Sequence, residues 1–123
     1  MHELSYATFI LNTILETVKN SNFKNIKRIS RIKLEVGELT FINIEQLKFA
    51  FQVISKSTLC EGAEIEVKLI KPYVICGNCS YRGELDIVDD LIVTCPKCNS
   101  PSLKIEGGRE FNIKNITVEF EEK

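Results

Sequence analysis

Long apolar runs are missing from this 123-residue chain: no stretch approaches the roughly 18 residues that a membrane-crossing helix requires, so no membrane role is expected. Histidine is equally scarce. The single one is His2, which leaves no Ser-His-Asp set within the chain. No glycine-rich phosphate loop is present either, so any GTP or ATP chemistry is expected to belong to another protein. The opening Met-His-Glu-Leu-Ser-Tyr shows neither a basic region followed by an apolar stretch nor a small-residue cleavage site, and a cytoplasmic location is expected. Internal repeats and low-complexity stretches are lacking too. Together these absences predict a protein that is not an enzyme.

What is present reads as an ordinary globular domain with a modest core: 44% of residues are apolar and 27% charged. The formal net charge is −1, and its distribution is uneven. Residues 1–75 carry ten basic and eight acidic side chains, whereas residues 76–110 carry four and six. An acidic segment repels phosphate backbones, which disfavours nucleic acid as a partner.

That acidic segment holds four of the five cysteines. Cys76 and Cys79 are separated by two residues, Cys95 and Cys98 repeat the spacing, and fifteen residues lie between the pairs. Each Cys-x-x-Cys fits a tight knuckle with two sulfurs pointing one way. Two facing knuckles make the closed four-sulfur shell of a structural Zn2+ site, with no ligand position open to substrate. Four thiolates around one Zn2+ add further negative charge. About 35 residues bury too little apolar surface to fold alone, so this module is expected to require its metal.

Around the module, hydrophobic periodicity sets out the remaining elements. Leu4, Ala7, Leu11, Ile14, Leu15 and Val18 form the stripe of an amphipathic helix ending near Asn20 to Asn22. Ser30 to Val36 alternates as a half-buried strand and breaks at Gly37. Asn43 with Gln46 three residues on opens a second helix, carrying Leu47, Ala50, Phe51 and Ile54 inward and ending near Lys56. Ala63, Ile65, Val67 and Leu69 predict a second strand closed by Pro72. Asp89-Asp90 and Gly107-Gly108 predict turns of small hairpins. Phe111 and Ile113 share one phase while Ile116, Val118 and Phe120 share the other, which predicts a last strand with a bulge near Lys114 or Asn115. The expected fold is α+β: a three-stranded mixed sheet with two helices on one face, plus an inserted four-cysteine zinc ribbon. Residues 1–73 and 109–123 would form one domain and 74–108 the ribbon.

The N-terminus offers a second set of ligands. The Met1 amine, the His2 backbone nitrogen and the His2 imidazole can form fused chelate rings around one ion, and Glu3 can add its backbone nitrogen or its carboxylate. Nitrogen-rich, planar-compatible ligation suits Ni2+ or Cu2+. Taken alone, a histidine near a terminus is more often a solvated side chain than a ligand.

Met1-His2-Glu3, a strand ending Val36-Gly37-Glu38, and the pairs Cys76-Gly77-Asn78-Cys79 and Cys95-Pro96-Lys97-Cys98 before a final strand together resemble the HypA/HybF family of hydrogenase maturation proteins. The likeness spans essentially the whole chain. It implies a nickel metallochaperone that binds Ni2+ through Met1, His2 and Glu3 and holds structural Zn2+ at Cys76, Cys79, Cys95 and Cys98. It also implies work with a partner GTPase of the HypB type to load nickel into the large subunit of [NiFe]-hydrogenase, with urease a further client in some members. Some relatives carry an acidic residue just before the second helix, where this chain has Asn43, an uncharged amide that is left out of the ligand set.

Cys60 is expected to be a small buried apolar residue. Lys24, Lys27, Arg28, Arg31 and Lys33 read as a solvated basic face or, alternatively, as a docking surface for an acidic partner. Two other functions fit the cysteines: a rubredoxin-like iron electron carrier, and a zinc-ribbon module for nucleic acid or a polymerase. Colour would separate the first and a steep salt dependence of binding the second.

Overall fold

A computed structural model of the chain describes residues 2–86 and 93–122. Helix α1 spans His2–Lys19 and α2 spans Ile44–Ile54; strand β1 is Ile26–Gly37, β2 is Glu64–Ile70, β3 is Tyr73–Cys76, β4 is Arg82–Glu84, β5 is Leu103–Glu106 and β6 is Phe111–Phe120. A short 3-10 turn, Glu38–Thr40, follows β1. The chain divides into two compact units, one comprising Met1–Leu34, Ile42–Val67 and Ile113–Lys123, the other Glu35–Phe41 and Lys68–Asn112.

In the first unit the two helices pack against each other beside a mixed three-stranded sheet in the order β2-β1-β6. The stripe on α1 is real but rotated: Ala7, Ile10, Leu11 and Ile14 are buried, whereas Leu4 is 45% exposed. Ile10, absent from the predicted stripe, falls between Ala7 and Ile14 on the inward face, as a period of 3.6 requires. β1 begins four residues before the predicted Ser30 and buries Ile29, Ile32 and Leu34. Its early residues alternate too: Arg28 leans across to Glu119 (Nε to Oε1, 3.0 Å) while Ile29 turns inward. From α2, Leu47 and Phe51 complete this core. Asn43 caps α2 as predicted, its side-chain oxygen accepting from the Gln46 N–H at 3.0 Å, and the helix stops at Ile54, two residues early.

Three of the four basic residues on β1 meet carboxylates within this unit. Arg31 and Lys33 both approach Glu66, at 3.2 and 4.0 Å, in addition to the Arg28–Glu119 pair. Exposed pairs of this kind contribute little to stability, but the two carboxylates offset part of the positive charge that would attract an acidic partner.

A second, smaller sheet in the order β4-β3-β5 lies in the other unit, with both pairings antiparallel. Pro72 ends the run of β2, is buried, and its carbonyl accepts from the Leu85 N–H at 2.9 Å. Asp89-Asp90 lies outside the described residues. Gly107 and Gly108 follow β5 with φ of 76° and 93°, the left-handed region that a turn there exploits.

The predicted break at Gly37 has a cause the pattern did not show. Its φ of −70° is open to any residue, but a Cβ built there would lie 2.1 Å from the Gly108 carbonyl oxygen. The two backbones approach closely enough for the Gly37 N–H to donate to the Glu110 carbonyl and the Leu39 N–H to the Gly108 carbonyl, each at 2.7 Å. Because the obstacle is hydrogen-bonded backbone, Gly37→Ala is expected to destabilise the fold by about 3 kcal/mol, read as a lower midpoint in urea unfolding. A midpoint equal to that of the parent chain would refute the close approach.

Candidate metal centre

The two cysteine pairs fold as near-identical knuckles. In the first, the Cys76 carbonyl accepts from the Ser80 N–H (3.1 Å) and the Cys76 N–H donates to the Tyr81 carbonyl (2.8 Å). In the second, the Cys95 carbonyl accepts from the Asn99 N–H (2.8 Å) and the Cys95 N–H donates to the Ser100 carbonyl (2.9 Å). Ser80 and Asn99, each four residues past its first cysteine, share a left-handed φ of 64° that turns the chain back. β3 delivers Cys76 at its last residue, and β5 leads away from the second knuckle.

These knuckles face each other. The four Sγ atoms of Cys76, Cys79, Cys95 and Cys98 all lie within 4.8 Å of one another, with Cys76–Cys98 and Cys79–Cys95 at 3.6 Å. Tetrahedral ligation at Zn–S of ~2.3 Å places sulfurs about 3.8 Å apart, so the cage fits a zinc ion. Backbone N–H groups of Asn78 and Cys79 point at the Cys76 sulfur, at 3.3 and 3.4 Å, and that of Lys97 at the Cys95 sulfur at 3.4 Å, as thiolates require.

The electrostatics of the bare cage are those of a site built for a cation. The Asn78 side-chain amide, donating across to Cys98 at 3.6 Å, and the Ser100 N–H pull the Cys98 thiol down to about 6. At Cys79 the Tyr81 N–H favours the thiolate, but desolvation and the crowding of the other sulfurs outweigh it and push the thiol up to about 12. Four negative sulfurs at this separation need a divalent ion among them; without one, protons take its place. Cys60 stands apart, buried as expected, its thiol pushed up to about 11 by that burial.

At the other predicted site, α1 begins at His2, whose side chain is exposed. Glu3 is half-buried, and its Oε2 accepts from the Asn43 backbone N–H at 3.1 Å. That N–H, followed by Glu3's own, holds the carboxyl below the usual carboxylate range. The start of α1 is thereby tied to the start of α2, forty positions along the chain. The Asn43 side-chain oxygen accepts from the Gln46 N–H as the cap of α2. Met1 lies outside the described residues. Among the described residues, the cysteine quartet is the one group of three or more His, Cys, Asp or Glu side chains gathered to hold an ion.

Sequence reasoning missed two contributors to these sites. Asn78 gives no signal of its own inside a Cys-x-x-Cys spacer, where any residue is tolerated. The link between Glu3 and Asn43 joins two helix starts, and no local pattern announces it.

Residues 1–118 match the HypA family model, described as hydrogenase/urease nickel incorporation, metallochaperone. The chain is 57% identical over 123 residues to the hydrogenase maturation factor HypA of Methanococcus aeolicus, covering 99% of this chain and 100% of that one. It is also 57% identical over 124 residues to HypA of Methanocaldococcus jannaschii, with the same coverage. The solution structure of the nickel metallochaperone HypA from Helicobacter pylori superposes with a TM-score of 0.61 at 22% identity, over 97% of this chain and 98% of that one, a likeness of fold. This chain belongs to the HypA family of nickel metallochaperones for hydrogenase maturation.

Proposed function

We propose that this chain takes up Ni2+ as cargo at its amino end and passes it on, without catalysing a reaction of its own. The Met1 amine, the His2 imidazole and Glu3 form the proposed nickel grip, with backbone nitrogens completing the set. The observation that carries this reading is the hydrogen bond from Asn43 to Glu3, which fixes the carboxylate beside an exposed His2 at the mouth of α1. A cation at a helix N-terminus is opposed by the helix dipole, so a carboxylate held there lowers the electrostatic penalty while leaving the ion accessible for release.

In the same proposal, Cys76, Cys79, Cys95 and Cys98 hold Zn2+ in a structural role, since the closed cage leaves no exchangeable position. Residues 74–108 then act as the zinc-ribbon domain, and 1–73 with 109–123 as the nickel-binding domain. The receiver is the large subunit of [NiFe]-hydrogenase, with urease as a further client, and a HypB-type GTPase supplies the nucleotide-driven step. The work is placed in the cytoplasm; among the described residues no helix is long and apolar enough to cross a membrane. The iron-carrier and nucleic-acid readings are set aside because the HypA match extends over residues 1–118, beyond the cysteine module.

Calorimetric nickel titration of the untagged chain between pH 8 and pH 6 tests the grip. Protons compete with the metal for the imidazole and the amine, so affinity is expected to fall by about 100-fold over that interval. Affinity that stays level across it would exclude this ligand set.

A further inference from the structure

The outer face of the small sheet carries an ordered charge pattern that the cysteine cage does not use. Directly opposed residues of neighbouring strands share a face, so Ile75 of β3 lies between Arg82 of β4 and Lys104 of β5, and Tyr73 lies between Glu84 and Glu106. The other face of β3 is turned inward, with Val74 and Cys76 buried. Outward, Tyr73 is 43% exposed and Ile75 half-buried, while the four flanking charges are all exposed. Two bases therefore stand at the knuckle end of a short apolar strip and two acids at the far end. Beyond the acids, Lys71 and Asp86 pair with each other and leave that balance unchanged. Lys104 and Glu106 come within 3.8 Å along β5, but their side chains are 75% and 51% exposed, so the pair contributes little and either group is able to turn to a partner.

The backbone decides which kind of occupant fits. β3 is the central strand, hydrogen-bonded to β4 on one side and to β5 on the other, so this face offers side chains only. An extended segment laid on it would lose water from its own N–H and C=O groups and find none to pair with, whereas a helix satisfies its backbone internally. The dimensions agree. β4 and β5 are two strand spacings apart, about 10 Å, which is the width of a helix. The basic and acidic rows are two strand residues apart, about 7 Å, close to the rise of about 6 Å between helix positions four apart. Two bases balanced by two acids also give no net attraction for a phosphate polyanion.

We propose that this face docks an amphipathic helix of a partner protein, laid along β3. Its apolar side chains cover Tyr73 and Ile75, carboxylates flank it at Arg82 and Lys104, and one turn away basic side chains flank it at Glu84 and Glu106. Because the sign of the charge changes along the strip, helices with flanks of a single sign are repelled at one end, and specificity arises there. The contact is small, so the complex is weak and quickly released.

Nuclear magnetic resonance titration of the zinc-loaded, untagged chain tests this. The probe is an alanine-based helical peptide of about 18 residues, with a leucine stripe flanked by glutamates over one turn and by lysines over the next. Amides of Tyr73, Ile75, Arg82 and Lys104 are expected to shift, with a Kd on the order of 100 µM. A second peptide with lysine at every flanking position should bind at least about 5-fold more weakly. Arg82→Glu with Lys104→Glu makes the face wholly acidic and is expected to invert that preference, with zinc content unchanged. Tyr73→Ala leaves every charge in place and should weaken the first peptide about 5-fold. The assay reads no nickel, so its outcome is independent of the cargo reading. Amides of β3, β4 and β5 that stay unmoved at about 1 mM peptide, shifts confined to α1, α2 or β6, or a charge variant that keeps the parent's preference would each overturn the proposal.

Discussion

Replacing His2 by alanine is expected to abolish stoichiometric nickel binding while zinc content and the far-ultraviolet spectrum stay as they were. His2 is exposed at the first position of α1 and is not among the buried core residues. Its loss removes the imidazole from the proposed grip, which has few side chains to fall back on, because among the described residues no other cluster but the cysteines gathers three ligating groups. Affinity should drop by at least about 100-fold, since altering even the outer partners of a metal ligand costs 10–100-fold. Equilibrium dialysis with elemental analysis reads both metals at once. Nickel retained at one ion per chain in His2→Ala would move the cargo site, most directly to the sulfurs.

Withdrawal of zinc should have the largest structural effect of any single change. The small sheet has strands of only four, three and four residues, and among the described residues the apolar groups buried around it are few: Pro72, Val74, Leu85, Cys76 and Cys95. An area that small cannot offset the conformational entropy of ordering these strands and the two knuckles. A structural zinc supplies about 10–16 kcal/mol at neutral pH, which exceeds what most small domains hold in reserve. A strong chelator, or Cys76→Ser with Cys95→Ser, is therefore expected to release the backbone amides of β3, β4 and β5 to rapid hydrogen exchange. Amides of α1, α2 and β1 near Ile10, Ile29, Ile32, Leu47 and Phe51 should stay protected, because that core is continuous without metal. Equal protection of β3 with and without zinc would show the ion to be dispensable.

How legible these features were depended on the range of the interaction behind them. The cap at Asn43 and the core positions Leu47 and Phe51 could be read because they depend on residues three or four apart. The change of phase in β6 was visible too, because inward side chains and backbone direction alternate together along one strand. By contrast, β1 was predicted four residues short: Ile26, Lys27 and Arg28 carry a weak pattern, and it is pairing with β6, including the contact of Arg28 with Glu119, that makes them strand. The basic face likewise could not be judged locally, because its neutralising partners Glu66 and Glu119 come from other strands.

By itself, the order of amino acids determined the chelating spacing of the sulfurs and the helical and strand periods, since each arises within one turn or one knuckle. Only the tertiary structure decided that the two knuckles would face each other, that Glu3 would accept from Asn43, and that Gly37 would lie against Gly108. Those contacts close loops of sixteen to seventy-one residues, and such closures are stabilised by the packing of whole elements, which no short window of sequence contains.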